Sequence, residues 1–265
     1  MTSSGFDPQQ PHDPNERRYE EYPAQGGQEY AQGPGAGMGY GEPVRFSASN
    51  AVSFAWRRFK ANPVPWVGVT VLFGILLGVA TGTTGGFDSD VETAGVLTVS
   101  AVLAWLLTTL FWNVFTQAAL AEVAGERPGL VRFTTLKNFG QFFLAAVVIG
   151  ILGVLAQVFF GIGGVVFAIL GVLCGIASIV VAFLLQWTYM FIIDRNLRAA
   201  DAIRASAAAI RADLGPILLL TITLAALNVL GAIPCGLGLL VTIPLSVIAS
   251  AWAYRTLTGG AATAP

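Results

Sequence analysis

The sequence predicts an all-α fold, a polytopic membrane helical bundle of about six transmembrane helices arranged as three hairpin repeats with amphipathic lead-in helices. Three observations predict it. Hydrophobic residues make up 55% of the 265-residue chain and charged residues 11%, with a mean hydropathy of +0.69; a soluble domain carries about 25% charge. From Val64 onward, long apolar runs contain no Lys, Arg, Asp or Glu, and about 18 such residues suffice to cross a bilayer. All fourteen basic residues lie before the first run, after the last, or in every second connection between runs.

Residues 1–43 are rich in Pro, Gly, Gln, Tyr and Glu and show no apolar periodicity. Such a segment buries too little surface to offset its ordering entropy, which predicts a disordered cytoplasmic tail. It has no basic region followed by an apolar core, so it does not read as a signal peptide. The membrane domain is expected over 44–258, and 259–265 as a short disordered C-terminus. Six spans are expected near 64–82, 95–121, 141–160, 164–193, 215–232 and 237–254. The second and fourth exceed a hydrocarbon core of about 30 Å at 1.5 Å per residue, so they should tilt or project into the cytoplasm. Gly161-Ile162-Gly163-Gly164 and the stretch from Gly231 to Gly236 read as tight hairpin turns. Peptide groups in lipid must be satisfied within the segment, which selects helices; the alternating polar residues of a barrel are absent.

Orientation follows from the basic residues. The connections opposite them hold no Lys or Arg, and the longest carries Asp88, Asp90 and Glu92. The positive-inside rule then places the chain in a bacterial cytoplasmic (inner) membrane with both termini in the cytoplasm. The formal net charge of −1 supplies no basic field for nucleic acid.

An internal repeat runs through the chain. The segment Asn50 to Asn62 matches Asp201 to Asp213 at a shift of 151 residues, with Val52, Trp56 and Phe59 on one helical face and Ile203, Ala207 and Ile210 on the other copy. Leu136-Lys137-Asn138 is a weaker third copy. Each copy reads as an amphipathic helix in the interface, apolar face toward acyl chains, Arg or Lys toward headgroups. Trp56 and Trp66 suit that half-wet position.

The stretch Tyr189-Met190-Phe191-Ile192-Ile193-Asp194-Arg195, followed by Asp201-Ala202-Ile203-Arg204-Ala205-Ser206, resembles a signature of a bacterial multi-helix integral membrane family of unknown function. That family is related to the membrane domain fused to some glycerophosphodiester phosphodiesterases. The closing Tyr254-Arg255-Thr256-Leu257 is similar to its Tyr-Arg/Lys-x-Leu ending. The chain departs from it at Asp201, where Glu is usual, and in the Ala-rich run 207–209. The resemblance implies a topology; with no phosphodiesterase domain in the sequence, it implies no such chemistry here.

The one histidine is His12, in the tail, so no His-based triad or general base sits in the membrane body. Metal and nucleotide motifs are missing too, so the chain is read as non-enzymatic and without a cofactor. Cys174 and Cys235 read as unpaired thiols. Gly74 with Gly78, and Gly171 with Gly175, read as close helix packing. Arg57, Arg58, Lys60, Asp194, Arg195, Arg204 and Arg211 are candidate contacts to lipid headgroups or a partner. Glu122 and Glu126 are expected in interfacial ion pairs. Asn113, Gln117 and Gln186 form a candidate intramembrane polar cluster, read either as a cavity lining or as hydrogen bonds that fix packing. The expected role is an envelope- or lipid-associated accessory factor, with membrane lipids as partners and the tail as a further protein contact. The alternative is a transporter or permease for a neutral or amphiphilic solute.

Overall fold

The computed structural model describes residues 46–82 and 91–260, and of residues 82, 91–98, 131 and 152 the backbone alone. The expected tail 1–43, the end of the C-terminal stretch and the connection with Asp88 and Asp90 lie outside the described residues.

Among the described residues the chain is helical without strands. The order is α1 (Ala48–Ala61), α2 (Pro63–Gly82), α3 (Val91–Val123), a 3₁₀ turn η1 (Leu130–Thr134), α4 (Phe139–Ile162), α5 (Val165–Leu184), α6 (Thr188–Arg195), α7 (Ala199–Ala212), α8 (Leu214–Ala232) and α9 (Leu239–Leu257). Six stretches are long and apolar enough to cross a membrane, namely α2, α3, α4, the run 165–195, α8 and α9. The protein is thus a polytopic helical membrane protein. Two of its hairpins close through positive φ, at three glycines and at Cys235. Gly163 and Gly164 have φ of 79° and 83°, and Cys235 and Gly236 have φ of 52° and 79°. At the second turn α8 and α9 approach so closely that a Cβ on Gly238 would lie 2.6 Å from the Gly231 carbonyl oxygen.

Burial is uneven. Half of the apolar window of α9 is buried inside the protein, against 6% for the window of the run 165–195. α9 and α3 are therefore central, and α5 is a peripheral helix whose Val165, Ile169, Leu173 and Ile179 face outward. The buried core gathers where the basic residues are, which we call the basic end. Trp66, Trp187, Trp252, Tyr254, Phe115 and Phe142 are all fully buried. Trp252 is stacked between Phe46 and Phe54, at ring separations of 6.1 and 5.8 Å.

The lead-in segments account for this core. α1 packs on α9 and α8, η1 packs on α3, and α7 packs on α6, α4 and α5. Each lead-in thus packs on the hairpin before it in sequence, and α1, ahead of the first hairpin, packs on the last. The repeat is visible residue by residue: the buried positions Ala48, Ala51, Ala55 and Phe59 of α1 recur 151 positions later as Ala199, Ala202, Ser206 and Ile210 of α7. Small residues at three of the four positions let the helix axes come close.

Four expectations are corrected. The apolar faces of α1 and α7 are spent on the protein, not on acyl chains; Phe59 is buried and Val52 is packed against the core, while Trp56 is 43% exposed. The third copy, Leu136-Lys137-Asn138, is not helical; it lies in the connector between the 3₁₀ turn η1 and α4. Trp66 is not half-wet; it is fully buried, edge-on to Phe115 and Phe133 at 5.2 and 5.3 Å. A Cβ at Gly74, Gly78 or Gly175 would meet nothing within 4 Å, so of those glycines Gly171 alone marks close packing, against the Phe160 ring.

The fourth span also differs, because its helix breaks at Leu185–Trp187 between α5 and α6. The break releases backbone groups that must be satisfied near the hydrocarbon. Ser206 of α7 satisfies two: its Oγ accepts from the Trp187 N–H at 3.2 Å and donates to the Leu184 carbonyl at 3.0 Å. Replacing Ser206 with Ala leaves both without that partner, at roughly 1–3 kcal/mol each. Thermal unfolding in detergent should fall by at least about 3 °C for S206A and not for S49A, an exposed control; a wild-type midpoint for S206A would refute the capping role.

Candidate functional site

The polar residues of the spans converge on the connectors at the basic end. Asn113 and Gln117, one turn apart on α3, are both buried. Gln117 Nε2 donates to Asn113 Oδ1 at 2.7 Å and to the Thr135 carbonyl at 3.0 Å, and Asn113 Nδ2 donates to the Lys137 carbonyl at 3.2 Å. They hold the non-helical connector between η1 and α4. Asn138, in the left-handed region with φ of 49°, donates from Nδ2 to the Ile192 carbonyl at 3.1 Å and to Asn196 Oδ1 at 2.9 Å. Asn62 Nδ2 reaches the Pro128 carbonyl at 3.0 Å, and Gln141 Oε1 accepts from the Ala199 N–H at 2.9 Å.

Gln186 does not join Asn113 and Gln117. It sits at the break between α5 and α6, where its Oε1 accepts from the Thr221 hydroxyl of α8 at 3.3 Å. The three residues expected as one cluster therefore divide between a connector clamp and the helix break.

The two stretches that carried the family resemblance meet in space. Arg255 Nη2 lies 2.7 Å from Asp194 Oδ1, with both side chains mostly buried, and the Tyr254 hydroxyl donates to Asp194 Oδ2 at 3.3 Å. Arg195 donates to the Thr258 carbonyl at 2.6 Å, and its guanidinium lies 5.1 Å from the Phe191 ring centre. Asp194 and Arg195 thus lock α6 to the end of α9, a link unavailable to sequence reading because the partners are 60 residues apart. Beside them a cavity of about 100 Å³ opens at the basic end, lined by Asp194, Arg255, Gln117, Lys137 and the exposed Arg132–Glu126 pair at 3.4 Å. Its mixed charge suits a polar headgroup or water.

The remaining basic candidates point outward. Arg57, Lys60, Arg204 and Arg211 are exposed and Arg58 is half-buried. Lys60 folds over Trp56 and Arg58 over Phe54, each 5.4 Å from the ring centre. Arg204 is 3.7 Å from Asp201 on the same exposed face, a pair worth under about 1 kcal/mol.

Glu122 overturns its expected ion pair. It is 1% exposed, at the basic end of α3, and neither carboxylate oxygen has a hydrogen-bond partner among the described residues. The indole of Trp66 lies beside it, outside hydrogen-bond geometry, and the positive charges of Arg58 and Arg127 are the nearest compensation. Sequence placed Glu122 one turn before an exposed loop; that α1 and α2 cover it depends on tertiary packing.

Among curated proteins, the chain is similar to uncharacterised proteins of Mycobacterium bovis and of two strains of Mycobacterium tuberculosis. Each is 24% identical over 240 residues, which span 81% of this chain and 70% of the relative. No protein-family model matches the chain, and no solved structure matches it.

A buried carboxylate with no hydrogen-bonded partner is costly, and the amide of the same shape removes the charge. Glu122→Gln should therefore raise the thermal midpoint in detergent by about 3 °C; a drop would show that the carboxylate is needed to balance Arg58 and Arg127.

Proposed function

We propose that this chain is a non-enzymatic protein of the bacterial cytoplasmic membrane, with both termini in the cytoplasm, and that it serves as a lipid-associated accessory factor of the envelope. The observation that carries this reading is the division of labour in α1 and α7. Their apolar faces are consumed by the bundle, so their basic faces turn outward at the end where every described Lys and Arg gathers. In the positive-inside orientation that end meets the anionic leaflet. The uncharacterised mycobacterial relatives and the membrane-spanning helices fit this reading without naming an activity.

A carrier built on repeats is the competing reading. The broken helix favours it. Against it, Asn113 and Gln117 are committed to connector carbonyls, and Gln186 lies apart from them, so the residues expected to line one path do not share one. The interaction with headgroups rests on charges that leave the fold intact.

Each Lys or Arg close to an anionic surface contributes about 1 kcal/mol. Neutralising Arg57, Lys60, Arg204 and Arg211 together with Gln should cut retention of phosphatidylglycerol by at least about tenfold, read by native mass spectrometry of protein purified in mild detergent. The thermal midpoint should stay within about 2 °C of wild type, since the four side chains are exposed. Unchanged lipid retention in the quadruple variant would rule the mechanism out.

A further inference from the structure

A second cavity, of about 150 Å³, lies at the helix break, between α3, α6 and α9. Its lining is mostly apolar and holds no Asp, Glu, His, Lys or Arg; Trp112 and Thr116 come from α3, Gln186 and Tyr189 from the break and α6, and Ser246 and Ser250 from α9. The hydroxyls of Thr116 and Ser246 donate within their own helices, to the Trp112 and Thr242 carbonyls at 2.7 Å each. Ser246 Oγ also accepts from Asn228 at 3.0 Å. The other three polar groups are different. Gln186 Nε2 is buried and has no hydrogen-bond partner. Among the described residues nothing bonds the Tyr189 hydroxyl or Ser250 Oγ either.

Gln186 Nε2 is a donor, and the Tyr189 and Ser250 hydroxyls can each donate as well as accept. In a membrane interior an unmet donor is expensive, because no bulk water replaces the missing bond. Three groups able to donate on one small chamber, with no charge to attract an ion, suit an uncharged acceptor. The volume is below the 300–1,000 Å³ or so of a pocket that encloses a whole small molecule. Only the head of a ligand enters, and its tail must leave into the bilayer beside Trp112, which is 39% exposed.

We propose that this cavity binds the carbonyl head of a neutral, lipid-soluble molecule, with Gln186, Tyr189 and Ser250 as hydrogen-bond donors to it. An acyl ester of a membrane lipid and a quinone ring both offer such a carbonyl, and the recognising chemistry is the same. The site is independent of the basic-face reading above, since none of its residues is a basic headgroup contact.

The test uses the full chain in detergent. Decylubiquinone and dioleoylglycerol are titrated separately, and binding is read as a saturable rise in thermal midpoint. Quenching of tryptophan fluorescence by the quinone, reduced in Trp112→Phe, reports the place. At least one probe should bind, and which one identifies the source of the carbonyl. Ser250→Ala and Gln186→Leu should each weaken it about fivefold, the worth of one hydrogen bond. Gln186→Leu also loses the bond from Thr221, so Ser250→Ala, which breaks no bond in the protein, is the decisive variant. Phosphatidylglycerol retention should not change in either. Equal binding by wild type and both variants would overturn the proposal, as would no saturable binding of either probe, which would mean that the donors are met by water alone.

Discussion

Peptide groups that leave a helix close to hydrocarbon need partners inside the protein, and the basic end of this bundle is organised around that requirement. The connectors there expose carbonyls at Pro128, Thr135, Lys137, Leu184 and Ile192 and N–H groups at Trp187 and Ala199; each is met by a side chain from another part of the chain. The donors and acceptors are uncharged: Asn62, Asn113, Gln117, Asn138, Gln141 and Ser206. Neutral amides and hydroxyls serve because they bond a carbonyl or N–H without the cost of carrying a charge into the interface. The polar residues that stand out in the spans are thus the fastenings of the loops.

This requirement also explains why the bundle is dense at one end and open at the other. A connector fastened at a fixed place lets a lead-in segment settle against the neighbouring hairpin. The small faces of α1 and α7 then bury Phe54, Phe59 and Ile210 against α9 and α6. At the opposite end the hairpins turn on Gly163-Gly164 and on the stretch to Gly238, with local backbone bonds such as Gly236 N–H to the Ala232 carbonyl at 2.9 Å. Turns that satisfy themselves need no covering helix. The outward Val, Ile and Leu of α5 follow, since lipid solvates them as well as protein would.

Much of the fold was legible in the sequence because hydrophobic length and the placement of Arg and Lys are local properties. The six spans, the Gly-rich turns and the 151-residue repeat are all carried by contiguous residues. What stayed hidden depends on partners distant in sequence. Nothing local marks the break at Gln186, since Leu184, Leu185 and Trp187 are all compatible with helix; the break stands because Ser206 arrives from α7. Phe59 and Ile210 were placed on buried faces, but the amphipathic pattern could not tell a protein surface from an acyl boundary, as both reward the same apolar stripe. Glu122 was read as an interfacial acid because one turn of sequence separates it from an exposed loop. The same limit applied to the candidate site: residue type identified Asn113, Gln117 and Gln186 as polar in an apolar setting, while which of them has an unmet group is set by tertiary packing.

The helix break makes that last distinction informative. Its backbone is tended closely, with one hydroxyl bonded at both Leu184 and Trp187. One turn away, side chains carry unmet groups: Gln186 Nε2 and, fully buried, Thr188 Oγ1. A break that served packing alone has no use for the Gln186 amide donor, because a buried unmet donor carries a desolvation cost. Buried groups that lack partners call for an explanation, and at the cavity a ligand supplies one. The break turns Gln186 out of the α5 register and presents it, with Tyr189 on the first turn of α6, to the flank of α9. Three residues apart, these two side chains would share a face of an unbroken helix as well, about 60° of rotation from each other. Fastening the backbone with Ser206 and leaving the side chains unfastened are therefore two halves of one arrangement: the first fixes the geometry, and the second keeps a place open for an acceptor.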